Sequence, residues 1–131
     1  MSLDYSNHFN LYEHNEAVAH SATINVGDLQ DKFFLKLPNG LAKYLTLTKI
    51  ERVGLEDNGS DVDIEDKVEQ ETGRIWITVD KGVFDVTVGF HMYRLVFDDS
   101  DLQTERYLYF CYHIQDNAPE KPYIYMNREE T

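Results

Sequence analysis

The chain has 131 residues, 42% of them hydrophobic, with 24 Asp and Glu against 12 Lys and Arg and a formal net charge of −12. That deficit of basic side chains excludes nucleic acid and anionic membrane as first choices of partner, because binding to phosphate rests on Lys and Arg. The length suits one domain that buries roughly two-thirds of its unfolded surface, so no metal or disulfide is needed as a staple.

Cys111 is the single cysteine, so no disulfide can form within the chain, which fits a reducing compartment. No apolar run approaches the roughly 18 residues of a membrane helix. No basic N-terminal stretch leads into an apolar one, so no signal peptide is expected.

Residues 1–21 are polar and carry His8, His14 and His20 at six-residue intervals. They read as an arm that packs on the domain edge or on a neighbour. A short strand at Asn10–Glu13 or a helical turn at Asn15–His20 is marginal. The six-residue spacing suits neither helical metal ligation nor one strand face, so the three histidines are expected to face solvent.

A β-sandwich domain is expected over residues 22–114. Its first strand is ATINV, Ala22–Val26, closed by Gly27 and Asp28. The second, DKFFLKL at Asp31–Leu37, aligns Phe33, Leu35 and Leu37 on one face, since alternate strand residues share a side. Pro38, Asn39 and Gly40 then make a turn: Pro presets φ, and Asn and Gly tolerate positive φ. The third strand, Tyr44–Val53, slips its apolar period between Leu47 and Ile50, which predicts a bulge.

Asn58 and Gly59 turn the chain into a fourth, acidic strand marked by Val62, Ile64 and Val68, which reads as an edge. The fifth, RIWITV, aligns Ile75, Ile77 and Val79 and turns Trp76 and Thr78 the other way. Lys81–Val88 reads as a crossover between sheets, with Val83, Phe84 and Val86 plugging the core.

The last two strands form one hairpin, Gly89 to Ile114, with arms GFHMYRLVF and TERYLYFCYHI around the polar turn DDSDLQ. Tyr93, Leu95 and Phe97, with Leu108, Phe110, Tyr112 and Ile114, make one apolar face. The reverse carries Met92, Arg94, Val96, Tyr107, Tyr109, Cys111 and His113, and is richer in apolar groups than a solvated face needs. Residues 115–131 are a polar, Pro-containing tail that ends in the apolar group Tyr123, Ile124, Tyr125 and Met126.

About seven short strands between turn signals predict an all-β, immunoglobulin-like sandwich of antiparallel strands with an N-terminal arm and a C-terminal tail. The antibody hallmarks are missing, since there is no cysteine pair and Trp76 lies in the fifth strand.

Catalytic and ligand-binding patterns are weak. His91 and His113 sit in opposite hairpin arms and, if the register sets them across from one another, would titrate together near pH ~6. Asp57, Asp61, Asp63, Glu65 and Asp66 do not follow the calcium-loop spacing and read as a solvated face. Cys111 lies mid-strand without a basic neighbour in sequence, as inert buried thiols do. No phosphate loop, zinc spacing, dinucleotide fingerprint or nucleophile elbow occurs. The chain is therefore expected to be no enzyme, with no catalytic residues, no cofactor and no metal. Its nine Tyr, seven Phe and one Trp are the positive signal. Trp76, Tyr107, Tyr109, Tyr123 and Tyr125 are the candidates for partner contact, because Tyr and Trp bring large area and a polar tip to an interface.

The stretches GRIWITV, VTVG, MYRLVFDDSD and ERYLYFCYHI, preceded by FFLKLPNG, a strand and an Asn-Gly turn, resemble the N-terminal immunoglobulin-like domain of upper baseplate and tail-fibre proteins of siphophages over residues 22–114. That family places Tyr close behind its second Gly; here Phe90 is adjacent and Tyr93 comes later. The resemblance implies a structural role: such domains anchor receptor-binding parts on a tail, oligomerise about a symmetry axis and have no catalytic residues. The expected function is thus a phage or prophage tail or baseplate module. It would bind protein, its own copies or other tail proteins, and reside in the virion or, before assembly, in the host cytoplasm. The alternative is a carbohydrate-binding sandwich that stacks sugar rings on Trp76 and the tyrosines.

Overall fold

The computed structural model describes residues 8–54 and 60–116. Among them, nine strands and one short helix follow in the order β1 (His8–Asn10), α1 (His14–Ala19), β2 (Ala22–Asn25), β3 (Lys32–Lys36), β4 (Leu45–Val53), β5 (Ser60–Val62), β6 (Val68–Gln70), β7 (Trp76–Asp80), β8 (Gly89–Asp99) and β9 (Thr104–Gln115). One sheet has the order β1-β3-β7-β6 and the other β2-β9-β8-β4-β5. This is an all-β sandwich. The orders β3-β7-β6 and β9-β8-β4 parallel the B-E-D and G-F-C orders of immunoglobulin domains, but β1 runs parallel to β3, unlike strand A of that antiparallel sheet.

Alternation builds the core. Phe33, Leu35 and Leu37 from the β3 segment, Ile77 and Val79 from β7, Ile50 from β4, Leu95 and Phe97 from β8, and Leu108 and Ile114 from β9 are fully enclosed. Aromatic rings fill the middle: Phe110 lies 4.5 Å from Tyr112, 5.3 Å from Phe84 and 5.9 Å from Phe33 between ring centroids. These are stacked and edge-on arrangements that favour aromatic pairs beyond their buried area. Phe84 and Val83 reach the core from the segment that joins β7 in one sheet to β8 in the other, as the crossover reading predicts.

Two tyrosines fasten that crossover. The Tyr93 hydroxyl accepts from the Asp85 backbone N–H at 2.8 Å, and the Tyr112 hydroxyl donates to the Asp85 carbonyl at 2.8 Å. A buried loop backbone needs both partners, and here one residue receives both. A tyrosine near the start of the sixth sandwich strand that reaches back to the preceding corner is a device of immunoglobulin-like domains. It gives Tyr93 an inward task that Phe90, with no hydroxyl, cannot perform.

Local signals hold well. Pro38, Asn39 and Gly40 make the turn, with Gly40 at φ +83° and the Leu41 N–H donating to the Pro38 carbonyl. The β4–β8 register shifts between Leu47 and Lys49, where the bulge is expected.

The fourth strand needs correcting. Val62 and Val68 belong to different strands in different sheets, β5 and β6, and a turn separates them. In it the Lys67 N–H donates to the Ile64 carbonyl, Asp66 takes φ +63° and the Asp63 carboxylate accepts from the Glu65 N–H. Short Asp side chains tolerate that backbone and bond it locally, so DIED is a sheet-to-sheet corner.

Gln70 closes the same corner. β5 pairs with β4 only at Ile50–Arg52, which leaves the β4 edge open before the bulge. The Gln70 side-chain amide fills the gap: its oxygen accepts from the Leu47 N–H and its nitrogen donates to the Leu45 carbonyl, each at 2.8 Å. Gln70→Ala leaves two half-buried backbone groups without these bonds and is expected to lower unfolding free energy by about 1–3 kcal/mol in a urea melt. A loss below about 0.5 kcal/mol would show that water replaces the amide without cost.

The N-terminal segment is more integral than an arm on the domain edge. β1 pairs parallel with β3, and then the chain crosses sheets. Tyr12 and Tyr109 exchange two backbone hydrogen bonds, at 3.1 and 2.7 Å, and β2 then runs parallel to β9. Leu11 and Ala17 are buried, so the core of the sandwich extends into this stretch. Helix α1 has six residues and no side-chain cap at Glu13. Too short to stand alone, it holds by packing. Two parallel pairs therefore join the antiparallel ones.

Candidate functional site

The outward face of the five-stranded sheet carries an ordered array of charge and ring. The register places Glu51, Arg94 and Tyr109 in one row across β4, β8 and β9, and Lys49, Val96 and Tyr107 in the next. Arg94 donates through Nε to Glu51 Oε1 at 2.7 Å and through Nη2 to the same oxygen. Lys49 Nζ lies 3.1 Å from Glu51 Oε2. The Arg94 guanidinium in turn sits 4.7 Å from the centroid of the Tyr107 ring, and the Tyr107 hydroxyl donates to Glu105 at 2.9 Å.

Glu51 is only 5% exposed, although it points away from the core. Its burial pushes the carboxyl up, but hydrogen bonds and charge from Arg94 and Lys49 outweigh that and hold it below the usual carboxylate range. The hydrogen bond to Glu51 raises Arg94, and the bond to Glu105 raises the Tyr107 hydroxyl. The array is thus a fixed ionic base with one aromatic ring mounted on it.

The expected contact residues do not form one surface. Tyr107 is 40% exposed and caps the array. Tyr109 is half-buried: Tyr12, between β1 and α1, forms a backbone bridge with it, and His14 meets its ring edge-on at 4.9 Å. Trp76 lies on the outward face of the other sheet, so it shares no platform with the hairpin tyrosines. Tyr123 and Tyr125 lie outside the described residues, as does Asp57. Val96 and Cys111, also on the hairpin's reverse, are buried, so much of the surplus apolar surface is already enclosed. What stays open is a groove lined by Glu13, His14, Leu102, Glu105, Arg106, Tyr107 and Tyr109, with Leu102 at its rim 57% exposed.

Lys49, Glu51 and Leu102 escape a reading of the sequence. The slip in the third strand is visible there, but which face Glu51 takes depends on where the bulge inserts its extra residue. Leu102 is one apolar residue in a polar turn.

The hairpin register does not set His91 and His113 across from one another. His91 pairs with Tyr112 and His113 with Phe90, so neighbouring positions send the two rings to opposite faces of the sheet. His91 belongs to the polar brace behind the crossover. Its Nε2 lies 2.8 Å from the Thr87 carbonyl and its Nδ1 3.3 Å from Arg52 Nη2, which fits a ring that donates through Nε2 and accepts through Nδ1. Arg52 Nη1 also lies 3.2 Å from Asp85. Asp85 accepts from the hydroxyl and N–H of Thr87, and these bonds, with the charge of Arg52, lower its carboxyl. Burial pushes the Tyr112 hydroxyl far up.

Of the N-terminal histidines, His14 and His20 are exposed, as expected, and lie against Tyr109 and Tyr12, while His8 is half-buried against Phe34 and Trp76. Asp61, Asp63, Glu65 and Asp66 are exposed, and among the described residues no three His, Cys, Asp or Glu are grouped to hold a metal. Burial raises the Cys111 thiol, in keeping with an inert mid-strand cysteine. Compared with known proteins, the chain matches no family model and no curated protein.

Proposed function

We propose that this chain is a non-enzymatic assembly module that binds protein partners through the Tyr107 face of its five-stranded sheet. The setting we propose is a phage or prophage tail or baseplate, with the module a component of the virion. The observation that carries the reading is the mounting of Tyr107: a half-exposed ring stacked on Arg94, which a buried carboxylate holds in place. Tyr and Arg dominate binding hot spots, and a side chain ordered before contact loses little entropy on binding. Around it lie an exposed leucine and a mixed-charge rim of Glu13, Glu105 and Arg106, the anatomy of a protein interface.

Sedimentation velocity tests it, with the chain alone and with candidate tail proteins. The expected result is concentration-dependent self-association or a mixed complex that Tyr107→Ala weakens about thirtyfold, the loss typical of a hot spot. Tyr107 lies outside the core, so that variant should melt within about 1 kcal/mol of the parent. A strict monomer that binds none of those proteins, or a complex indifferent to Tyr107→Ala, overturns the reading.

A further inference from the structure

The opposite face of the sandwich carries a second concavity. Across the four-stranded sheet the register sets His8, Phe34, Thr78 and Glu69 in one row, and Lys36 and Trp76 in the next. A groove of about 530 Å³ lies over them, floored by Phe34 and Trp76 and rimmed by Glu69, Glu71, Arg74 and Thr78. That volume is ordinary for a small-ligand site. His8 from β1 packs on both floor rings, at 5.2 Å from Phe34 and 5.0 Å from Trp76, and so steadies them from one side. We infer that this groove binds a neutral oligosaccharide.

The chemistry of floor and rim points there. A pyranose ring has an apolar C–H face and a rim of hydroxyls, each both donor and acceptor. The floor offers the apolar aromatic surface of Trp76 and Phe34 to the C–H side. The rim offers acceptors at Glu69 and Glu71, donors at Arg74 and a hydroxyl at Thr78. Glu71 and Arg74 lie 3.1 Å apart on the exposed rim, so donor and acceptor stand side by side as vicinal hydroxyls require. The Gln70 amide, bonded to β4, is not needed.

Charge decides the class of sugar. Among the lining residues Glu69 and Glu71 carry two negative charges and Arg74 one positive, so the site offers no surplus cation to hold an anion. The whole chain, at −12, repels an anionic glycan. This site lies on the other sheet from Tyr107, so the two readings stand or fall separately.

Trp76 is the only tryptophan in the chain, so its fluorescence reports on this groove alone. The probes are gluco-, manno- and galacto-configured neutral oligosaccharides, an N-acetylhexosamine oligosaccharide, a uronic-acid oligosaccharide and a basic peptide. At least one neutral sugar is expected to change the Trp76 emission saturably. Glu69→Ala, on the exposed rim, should weaken that binding about tenfold, and Tyr107→Ala should leave it unchanged. Trp76→Ala, shown folded by circular dichroism, should abolish the heat of binding in calorimetry. Should that variant not fold, Glu69→Ala decides. No saturable response to any neutral sugar, binding that survives in folded Trp76→Ala or is untouched by Glu69→Ala, or a response only to the uronic acid or the peptide, overturns the inference.

Discussion

Phe110→Ala is expected to lower unfolding free energy by about 3–5 kcal/mol in a denaturant melt, a large share of the stability of a domain this size. Phe110 is 1% exposed and its ring meets four others, from Phe9, Phe33, Phe84 and Tyr112. Three of these come from different parts of the chain: the N-terminal strand, β3 and the crossover. Removing the ring leaves a void that no single segment can close by itself, and the cost of such a change grows with the void that remains. Glu105 lies five residues away on the same strand, exposed and facing outward, and Glu105→Ala should change stability by less than about 0.5 kcal/mol. Equal losses for the two variants would mean that the facing of β9 is wrong.

Glu51→Ala is the second large effect, about 3 kcal/mol, on an outward face where a charge-to-alanine change is ordinarily neutral. The glutamate accepts from Arg94 and meets Lys49, and its removal leaves two cations side by side. The figure is at the low end for breaking a buried pair because the Arg94 side chain, 27% exposed, regains some water. Glu51→Gln keeps the shape and should lose less. Both variants release the ring of Tyr107, so both should also weaken partner binding in the sedimentation experiment.

The same carboxylate makes stability depend on pH. Its folded pKa lies below the unfolded one, so its contribution is complete above about pH 4.3 and is lost as pH falls through the folded value. Asp85 and Asp99 act in the same direction. Hydrogen bonds from Thr87 lower the first. At Asp99 burial works upward, but bonds from Arg106 and the N–H groups of Leu102 and Asp101 outweigh it. Thermal melts of the parent should therefore fall steadily below about pH 4, and Glu51→Gln should show a shallower fall. Parallel profiles would remove Glu51 from the account.

Alternation in FFLKL, WITV and the hairpin arms settles which residues face inward, because a strand has only two sides and one must be apolar. That is why Leu95, Leu108, Phe110 and Ile114 are legible before any coordinates, and why the Leu47–Ile50 slip marks a bulge. Turn chemistry at Pro38–Gly40 is equally local. The split of Val62 and Val68 between sheets is not, since a three-residue strand carries too little period to distinguish itself from the continuation of its neighbour. Nor is the role of residues 8–21, whose polar composition hides one buried leucine and one buried alanine that matter only once β3 and β9 are in place.

What the order of residues settles unaided is the all-β class, the inward faces of the long strands and the placement of the main turns, all of which depend on neighbours within a few positions. Folding in three dimensions settles the rest. Register sends His91 and His113 apart, closure of the N-terminal segment covers Tyr109, and the sheet to which each strand belongs separates Trp76 from Tyr107. Those outcomes rest on contacts between residues tens of positions apart, and the pattern along one strand does not say which strand will lie beside it.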